Sequence, residues 1–490
     1  MNKELSGLYP GKLWECFASI CAIPHPSKHE TEILTWLKEW AKENQIECRQ
    51  DETGNLLMSK PATPGMENRT PIILQGHIDM VPQANSDKKH DFTTDPIEPV
   101  IGEDGWVRAN GTTLGADNGI GCSAAMALLL SKDVQHGPLE VLITVDEETG
   151  MTGAFGLKEG FVKGRILMNL DSEDEGELYV GCAGGMDANI EMDYAVESAA
   201  GLKGYEIAVT GLKGGHSGMD INLGRANANK IMVRILKQAE KFGIRIASIN
   251  GGSLRNAIPR EAFGCVGIPL DKTAAFTEFI QQFTAVVAKE FAATEPDMTV
   301  QLRERNIENI MEKDAQNRLV NLVYALPHGV MRMSDAMENL VETSTNLAIV
   351  KVENGKILVA NLLRSSVDSA KESLGLKMTA IAEMAKANIS LTGAYPGWKP
   401  NMASPVLKTM LQVYQDKFGK KPEVKAIHAG LECGLFGVSY DWDMISFGPT
   451  IRNPHSPDER VNIESVGKFW DFLVETVKNV PVYIQKLTTK

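Results

Sequence analysis

Four short clusters of acidic and histidine residues carry most of the side chains in this sequence that could do chemistry. They are Gly76-His77-Ile78-Asp79, Gly115-Ala116-Asp117-Asn118-Gly119, Asp146-Glu147-Glu148 and Asp171-Ser172-Glu173. Imidazole and carboxylate ligands without cysteine suit Zn²⁺, Mn²⁺ or Co²⁺. Carboxylates that are brought together repel one another unless cations neutralise them. The clusters therefore predict a site for divalent metal.

Paired carboxylates can divide the work at such a site. Of Glu147 and Glu148, one can bind metal while its neighbour accepts a proton from metal-bound water. The spacing of His77 and Asp79 supplies a ligand and a carboxylate that can orient its imidazole. A second candidate histidine, His455, lies between two prolines late in the chain. The pattern predicts hydrolysis at a centre of two metal ions.

Short apolar runs precede three of the four clusters. Residues 72–74, 139–144 and 166–170 are nearly continuous apolar segments, and a helical pattern over residues 119–130 separates the first two. Such runs are typical of parallel strands buried on both faces, and ligands bind beyond the carboxyl ends of such strands. The predicted fold class is α/β, with a mostly parallel sheet in the catalytic domain.

The pattern of the chain changes after residue 185. Residues 186–399 alternate between strand and helix patterns and include a predicted hairpin around Asn354-Gly355. From residue 400 the chain returns to helices and a buried strand. We expect residues 1–185 and 400–490 to build one catalytic domain. Residues 186–399 would form an inserted α+β lid domain of two ferredoxin-like units.

Composition and charge exclude several classes of protein. Of the 490 residues, 43% are apolar and 23% are charged, as in ordinary globular proteins. The net charge of −13 disfavours nucleic acid as a partner. No apolar stretch approaches the roughly 20 residues that cross a membrane, and the first residues do not resemble a signal peptide. Seven scattered cysteines without a Cys-x-x-Cys pair favour a reduced, cytoplasmic setting.

Further motifs extend the pattern over the whole chain. Residues 74–82, residues 111–119, the Glu147-Glu148 pair and the run Gly214-Gly215-His216-Ser217-Gly218 together resemble the dinuclear zinc exopeptidases of the aminoacylase/carboxypeptidase type. Residues 23–27, 255–260, 393–398 and 428–434 are similar to the branch of that family that hydrolyses Xaa-His dipeptides.

This resemblance implies a role for each residue of the clusters. It implies five metal ligands divided between two ions: His77 and Asp171 on one, Glu148 and His455 on the other, and Asp117 on both. Glu147 would be the general base and Asp79 would orient His77. An aspartate at position 171 favours a dipeptidase, and Glu173 is the alternative ligand there. The two divalent ions would be zinc, with cobalt or manganese as alternatives.

The resemblance also implies that residues of the inserted domain contact the substrate. His216 would polarise the scissile carbonyl, and the long insert predicts that the same chain supplies this histidine. Asn256, Arg364 and Gly430 would hold the substrate, with Arg364 binding its terminal carboxylate in a bidentate contact. A monomer and a homodimer are both compatible with this arrangement.

The sequence thus predicts a cytoplasmic, metal-dependent dipeptidase that acts on unblocked dipeptides, preferably Xaa-His such as β-alanyl-histidine. Metal-bound hydroxide would attack the peptide carbonyl with Glu147 as the base. The alternative among the hydrolases is an N-acyl-amino-acid deacylase with the same dinuclear site. A third reading, a non-catalytic binding protein, predicts loss of Glu147, a ligand or His216, and all of these residues are present.

Overall fold

A computed structural model of the protein describes residues 5–482, and these divide into two compact units. Residues up to 181, together with 400–426 and 431 onward, form the first unit, and residues 182–399 with 427–430 form the second. This division falls four residues before the boundary predicted after residue 185. Residues 427–430 lie inside the segment 400–490 that the sequence analysis assigned to the catalytic domain, and no break in the sequence pattern marks them.

The first unit is built from both ends of the chain. Its first segment contains α1 (Gly11–Cys21), α2 (Thr31–Glu43), β1 (Glu47–Gln50), β2 (Leu56–Lys60), β3 (Ile72–His77), β4 (Pro99–Ile101), β5 (Trp106–Ala109), α3 (Ala116–Leu130), β6 (Leu139–Thr144), α4 (Glu147–Gly150), α5 (Thr152–Gly156), β7 (Ile166–Asn169) and β8 (Glu177–Cys182). Its last segment contains α10 (Pro405–Phe418), β22 (Glu423–Ile427), α11 (Glu432–Ser439), β23 (Asp443–Ser446), β24 (Ile451–Arg452), β25 (Arg460–Asn462) and α12 (Ile463–Asn479).

An eight-stranded sheet forms the centre of this unit, in the order β1-β2-β6-β3-β7-β23-β8-β22. The four strands from β6 to β23 run parallel to one another, whereas β1, β2 and β8 pair antiparallel. Every residue of β3, β6 and β7 is buried, because these are the apolar runs of the sequence. The α/β class is confirmed, and the parallel strands bring their carboxyl ends to one edge.

The second unit comprises the middle of the chain. It contains β9 (Gly184–Asp193), β10 (Val196–Ser198), β11 (Leu202–Thr210), β12 (Gly215–His216), α6 (Ala228–Ala239), β13 (Arg245–Gly251), β14 (Ala257–Ile258), β15 (Ala262–Pro269), α7 (Thr273–Glu290), β16 (Thr299–Glu304), β17 (Asn309–Met311), α8 (Lys313–Ala325), β18 (Gly329–Met333), β19 (Val341–Glu353), β20 (Lys356–Ser365), α9 (Asp368–Met384) and β21 (Asn388–Tyr395).

This unit contains one nine-stranded sheet. Eight of its strands follow the order β16-β11-β15-β13-β19-β20-β9-β21, and the ninth, β18, pairs with β19. Each half of that order, together with two helices, has the β-α-β-β-α-β arrangement of a ferredoxin-like motif. The halves join through antiparallel pairing of β13 with β19. The β19–β20 hairpin turns at Asn354 and Gly355, whose φ angles of 51° and 78° belong to the turn that an Asn-Gly pair favours.

The helices of the second unit pack on one face of its sheet around an apolar core. Phe276 of α7 is completely buried in that core, with its ring centroid 6.0 Å from those of Tyr205 and Phe242. Val286 lies on the same helix but is 58% exposed. No helix among residues 5–482 is both long enough and apolar enough to cross a bilayer.

We expect Phe276→Ala to lower the free energy of unfolding by about 3–5 kcal/mol, because it removes a fully buried ring and leaves a cavity. Val286→Ala on the same helix should change stability by less than about 0.5 kcal/mol. Denaturant unfolding monitored by circular dichroism measures both variants. Equal effects of the two substitutions would contradict this account of the core.

Candidate functional site

The predicted clusters of the first unit meet at the edge of the sheet where the parallel strands end. His77 is the last residue of β3, and Asp171 follows β7 by two residues. Glu147 begins α4, shortly after β6. Asp117 lies in the first turn of α3, where its ψ angle of 107° departs from helical geometry. His455 comes from the loop between β24 and β25.

The two histidines of the site face the two oxygens of Asp117. His77 Nε2 lies 3.1 Å from Asp117 Oδ1 and 3.4 Å from Asp171 Oδ1. His455 Nε2 lies 3.2 Å from Asp117 Oδ2 and 2.9 Å from Glu148 Oε1. Asp117 therefore stands between two ligand triads, one with His77 and Asp171 and one with Glu148 and His455. A carboxylate in this position could contribute one oxygen to each triad.

Glu147 is close to these triads without belonging to them. Its carboxylate forms a group with donor atoms of His77 and Glu148 that all lie within 4.8 Å of one another. Burial raises the pKa of Glu147 well above its usual value, and the nearby Asp171 and Glu148 raise it further. A carboxyl group that binds a proton readily is suited to general base and acid chemistry.

Asp79 has a larger role than the sequence indicated. Its Oδ1 lies 3.5 Å from His77 Nδ1, but the backbone carbonyl of Asp79 is nearer to that nitrogen, at 3.0 Å. The two carboxylate oxygens also accept the backbone N–H groups of Glu147, at 2.9 Å, and Glu148, at 3.2 Å. Ser27 Oγ donates a further hydrogen bond to Oδ2, at 2.8 Å. Asp79 thus holds both His77 and the turn that presents the paired glutamates.

Glu459, which sequence reasoning missed, holds the turn that presents Asp117. Its buried carboxylate accepts four consecutive backbone N–H groups, those of residues 114–117, at 2.8–3.2 Å. It lies four residues after His455, so one loop supplies a candidate ligand and fixes the bridging carboxylate. The sequence offered no signal for this role, because an acidic residue in a loop is usually solvated.

The electrostatics of the site are those of crowded carboxylates around two histidines. Hydrogen bonds with Asp117 and Glu148 raise the pKa of His455 to about 11. Burial alone would lower the pKa of His77, but the carboxylates around it raise it well above its usual value. Burial and the neighbouring carboxylates Asp117 and Asp171 raise the pKa of Glu173 to about 8.

The donor set fits divalent metal. Each triad supplies imidazole nitrogen and carboxylate oxygen atoms within 4.8 Å of one another, and this chemistry suits zinc, cobalt or manganese. Within residues 5–482, no lysine or arginine forms an ion pair with any of the five candidate ligands, so the two histidines are the only ion-pair partners of these carboxylates among the described residues. The carboxylate of Glu173 belongs to neither triad, whereas that of Asp171 does.

The second unit gathers the predicted substrate-binding residues. Strand β12 pairs with β14 so that His216 lies opposite Ala257, and the backbone N–H of Ser217 donates to the carbonyl of Asn256 at 2.8 Å. Gly430 belongs to the 427–430 segment of the same unit. His216 Nδ1 accepts the backbone N–H groups of Gly218 and Met219, at 3.2 and 3.0 Å. The proton of a neutral His216 therefore lies on Nε2, which is a donor.

Arg364 is a buried cation whose partners are neutral. It is 5% exposed, and it donates from Nε to Ser217 Oγ and from Nη1 to Tyr395 Oη, both at 3.3 Å. Among the described residues no carboxylate forms an ion pair with it. The ring of Tyr395 covers Gly185, where a Cβ atom would lie 2.5 Å from the ring. A buried guanidinium without an acid is suited to bind the carboxylate of a ligand.

Two residues near Arg364, Tyr395 and His428, were not predicted from the sequence as parts of the site. His428 Nε2 lies 2.7 Å from Ser344 Oγ, and burial with the nearby charge of Arg364 lowers the pKa of His428 to about 3. Tyr395 and His428 stand in runs that were noted as motifs, but their contact partners lie far away in the sequence. Strand pairing in the order β19-β20-β9-β21 brings Tyr395 to Arg364, and backbone hydrogen bonds from Ala183 to residues 427 and 429 hold the segment that carries His428.

In metal-free protein we expect the free energy of unfolding to fall as the pH rises from about 5 to 8. Burial raises the pKa of Glu459 to about 7 and contributes to the value of about 8 for Glu173, so the folded state keeps protons that the unfolded chain loses near pH 4.5. Stability from such groups is lost as the pH rises through their folded pKa values. Denaturant unfolding after chelation measures the slope, and Glu173→Gln should flatten it. Stability that rises over this range would contradict the assignment.

Comparison with known proteins places these observations in a family. The profile of peptidase family M20/M25/M40 matches residues 73–479. The chain is 46% identical over 483 residues to the cytosol non-specific dipeptidase of Escherichia coli, which covers 98% of this chain and 99% of that protein. Its structure matches the crystal structure of aminoacylhistidine dipeptidase from Vibrio alginolyticus with a TM-score of 0.92 and 47% identity over 99% of both chains. A tripeptidase from Staphylococcus aureus shares the fold, with a TM-score of 0.57 and 17% identity over 96% of this chain and 99% of that one. The chain belongs to peptidase family M20/M25/M40.

Proposed function

We propose that this protein is a metal-dependent dipeptidase that hydrolyses unblocked dipeptides and prefers Xaa-His substrates such as β-alanyl-histidine. The observation that carries the proposal is the pair of ligand triads that share Asp117. Two relatives that match nearly the whole chain support the substrate class, since one is named a non-specific dipeptidase and the other an aminoacylhistidine dipeptidase. The buried Arg364 supplies a partner for the free carboxylate of a dipeptide.

Two divalent ions per chain, zinc with cobalt or manganese as alternatives, would occupy the two triads. His77 and Asp171 would hold one ion, Glu148 and His455 the other, and Asp117 both. The chemistry that such ions would supply is polarisation of the scissile carbonyl and a lowered pKa for the attacking water.

Glu147 would transfer the proton, and His216 would stabilise the negative charge that develops on the carbonyl oxygen. Glu147 takes a proton from the attacking water and returns it to the leaving amine, as its raised pKa favours. His216 stays neutral because burial and the charge of Arg364 lower its pKa, and its Nε2–H donates to the carbonyl oxygen. Asp79 keeps Glu147 in place through the backbone.

Arg364 and Asn256 would hold the substrate. A fixed guanidinium that binds a terminal carboxylate in a bidentate contact restricts substrates to short peptides. The proposed setting is the cytoplasm, in keeping with the name of the Escherichia coli relative. The charge of −13 argues against nucleic acid as a partner, and we propose neither a nucleic acid nor a membrane partner.

Glu147→Gln should lower kcat for β-alanyl-histidine by about 10²–10⁴-fold and leave the metal content unchanged, because only proton transfer is lost. Glu148→Gln, at the next residue, should lower metal content together with activity. Kinetic assays and metal analysis of purified protein measure both quantities. Loss of metal from Glu147→Gln would show that Glu147 is a ligand rather than the base.

Arg364→Met should lower kcat/KM for dipeptides by about 10²-fold, because the substrate carboxylate loses its charged partner. The wild type should discriminate strongly against the C-terminal amide of the same dipeptide, whereas the variant should not. Arg255→Met serves as a control, since Arg255 is exposed and already paired with Asp187. Faster hydrolysis of N-acetyl amino acids than of dipeptides by the wild type would favour the deacylase instead.

A further inference from the structure

Glu432 is a completely buried carboxylate that the proposed chemistry does not use. It is the first residue of α11, and its Oε2 accepts hydrogen bonds from Gln75 Nε2, at 2.6 Å, and Thr144 Oγ1, at 2.9 Å. Its Oε1 is buried and has no hydrogen-bond partner. Across the described part of the chain no basic side chain forms an ion pair with it.

The two donors to Glu432 lie on the strands that deliver metal ligands. Gln75 precedes His77 by two residues on β3, so both side chains point to the same face of the sheet. Thr144 ends β6 directly opposite His77 in the register of the two strands, three residues before Glu147. Glu432 therefore joins the ends of β3 and β6 immediately behind the candidate metal centre.

The hydrogen bonds of Glu432 are part of a row of hydrogen-bonded side chains that crosses the parallel strands. Gln75 Oε1 accepts from Asn169 Nδ2 at 2.6 Å, and Asn169 Oδ1 accepts from Ser446 Oγ at 2.5 Å. Asn169 ends β7, two residues before Asp171, and Ser446 ends β23. All of these side chains are completely buried. The row links the ends of all four parallel strands, and three of them lead to residues of the site.

A buried carboxylate that faces only neutral donors is costly unless positive charge lies nearby. The two ions of the proposed function are the positive charges that this edge of the sheet would hold. We propose that Glu432 is a positioning residue of the metal centre: it fixes the ends of β3 and β6 through Gln75 and Thr144, and its charge strengthens cation binding. This inference rests on the proposed dinuclear site.

Glu432→Gln removes the negative charge of the side chain and keeps its size and shape. The side-chain oxygen of glutamine can accept both bonds that now end on Oε2, and its amide nitrogen replaces the oxygen that has no partner. No existing hydrogen bond is lost, so the fold should persist.

Glu140 provides a matched control on the same strand as Thr144. It is 8% exposed, and its Oε2 alone accepts the backbone N–H groups of Lys163 and Gly164, at 2.8 and 2.7 Å. It is the second residue of β6, near the end remote from Thr144. Glu140→Gln thus removes a buried carboxylate with the same bonding pattern at a distance from the ligands.

The test is titration of Co²⁺ into chelator-stripped full-length protein, followed by visible absorption and calorimetry. Glu432→Gln should weaken Co²⁺ binding by about 10–100-fold, the range found for side chains that support metal ligands. Glu140→Gln should bind Co²⁺ as the wild type does. Circular dichroism and thermal unfolding of the metal-free proteins check that each variant is folded.

Binding by Glu432→Gln that equals wild-type binding would overturn the role of Glu432 and leave the dinuclear site intact. A wild type that fails to bind two Co²⁺ ions would overturn the proposed function, and this inference with it. If Glu432→Gln does not fold, Thr144→Val decides, because it keeps the charge of Glu432 and removes the hydrogen bonds that Thr144 Oγ1 donates to Glu432 Oε2 and to the carbonyl of Gly76 and accepts from Gln75 Nε2. Several-fold weaker Co²⁺ binding by that variant supports the positioning role, and unchanged binding overturns it.

Discussion

The crowding of carboxylates at one edge of a buried sheet is the constraint on which the rest of this structure depends. Asp117, Glu147, Glu148 and Asp171 converge where parallel strands end, and no lysine or arginine within residues 5–482 is ion-paired with them. Such a cluster is unfavourable by itself, since like charges repel and burial removes the water that would solvate them. Two histidines relieve part of the cost, and a pair of divalent cations would relieve the rest. The repulsion among these carboxylates and their suitability for divalent cations have one electrostatic origin.

Carboxylates that repel one another stay close only if the backbone that carries them is held in place. In this protein, the carboxylates of other acidic residues hold that backbone through hydrogen bonds. Asp79 accepts backbone N–H groups from the turn with Glu147 and Glu148. Glu459 accepts four from the turn with Asp117. A carboxylate that accepts several backbone N–H bonds fixes the turn itself, and so fixes the point from which each candidate ligand side chain projects. Acidic residues thus act twice here, as candidate ligands and as anchors of the turns that carry them.

Much of the architecture could be predicted from the sequence, because local patterns determine it. The apolar runs at residues 72–74 and 139–144 predicted buried parallel strands, and Asn354-Gly355 predicted a hairpin. The anchors could not be predicted in this way. The roles of Glu432 and Glu459 depend on contacts between segments that are far apart in the sequence. Glu432 is 288 residues from its partner Thr144, and Glu459 is 345 residues from its partner Leu114. A single sequence contains no signal that distinguishes such an acid from a solvated one.

In the proposed function, the residues of the second unit that would recognise the substrate are separate from the candidate metal ligands. Its sheet register places Arg364 opposite Gly185, whose missing side chain leaves room for the ring of Tyr395. Tyr395 and Ser217 then hold the guanidinium with neutral oxygens and leave its charge uncompensated. None of these residues belongs to the segments that supply the metal ligands. If Arg364 binds the substrate as proposed, substitutions around it would therefore change which peptide is bound without altering the carboxylates of the first unit.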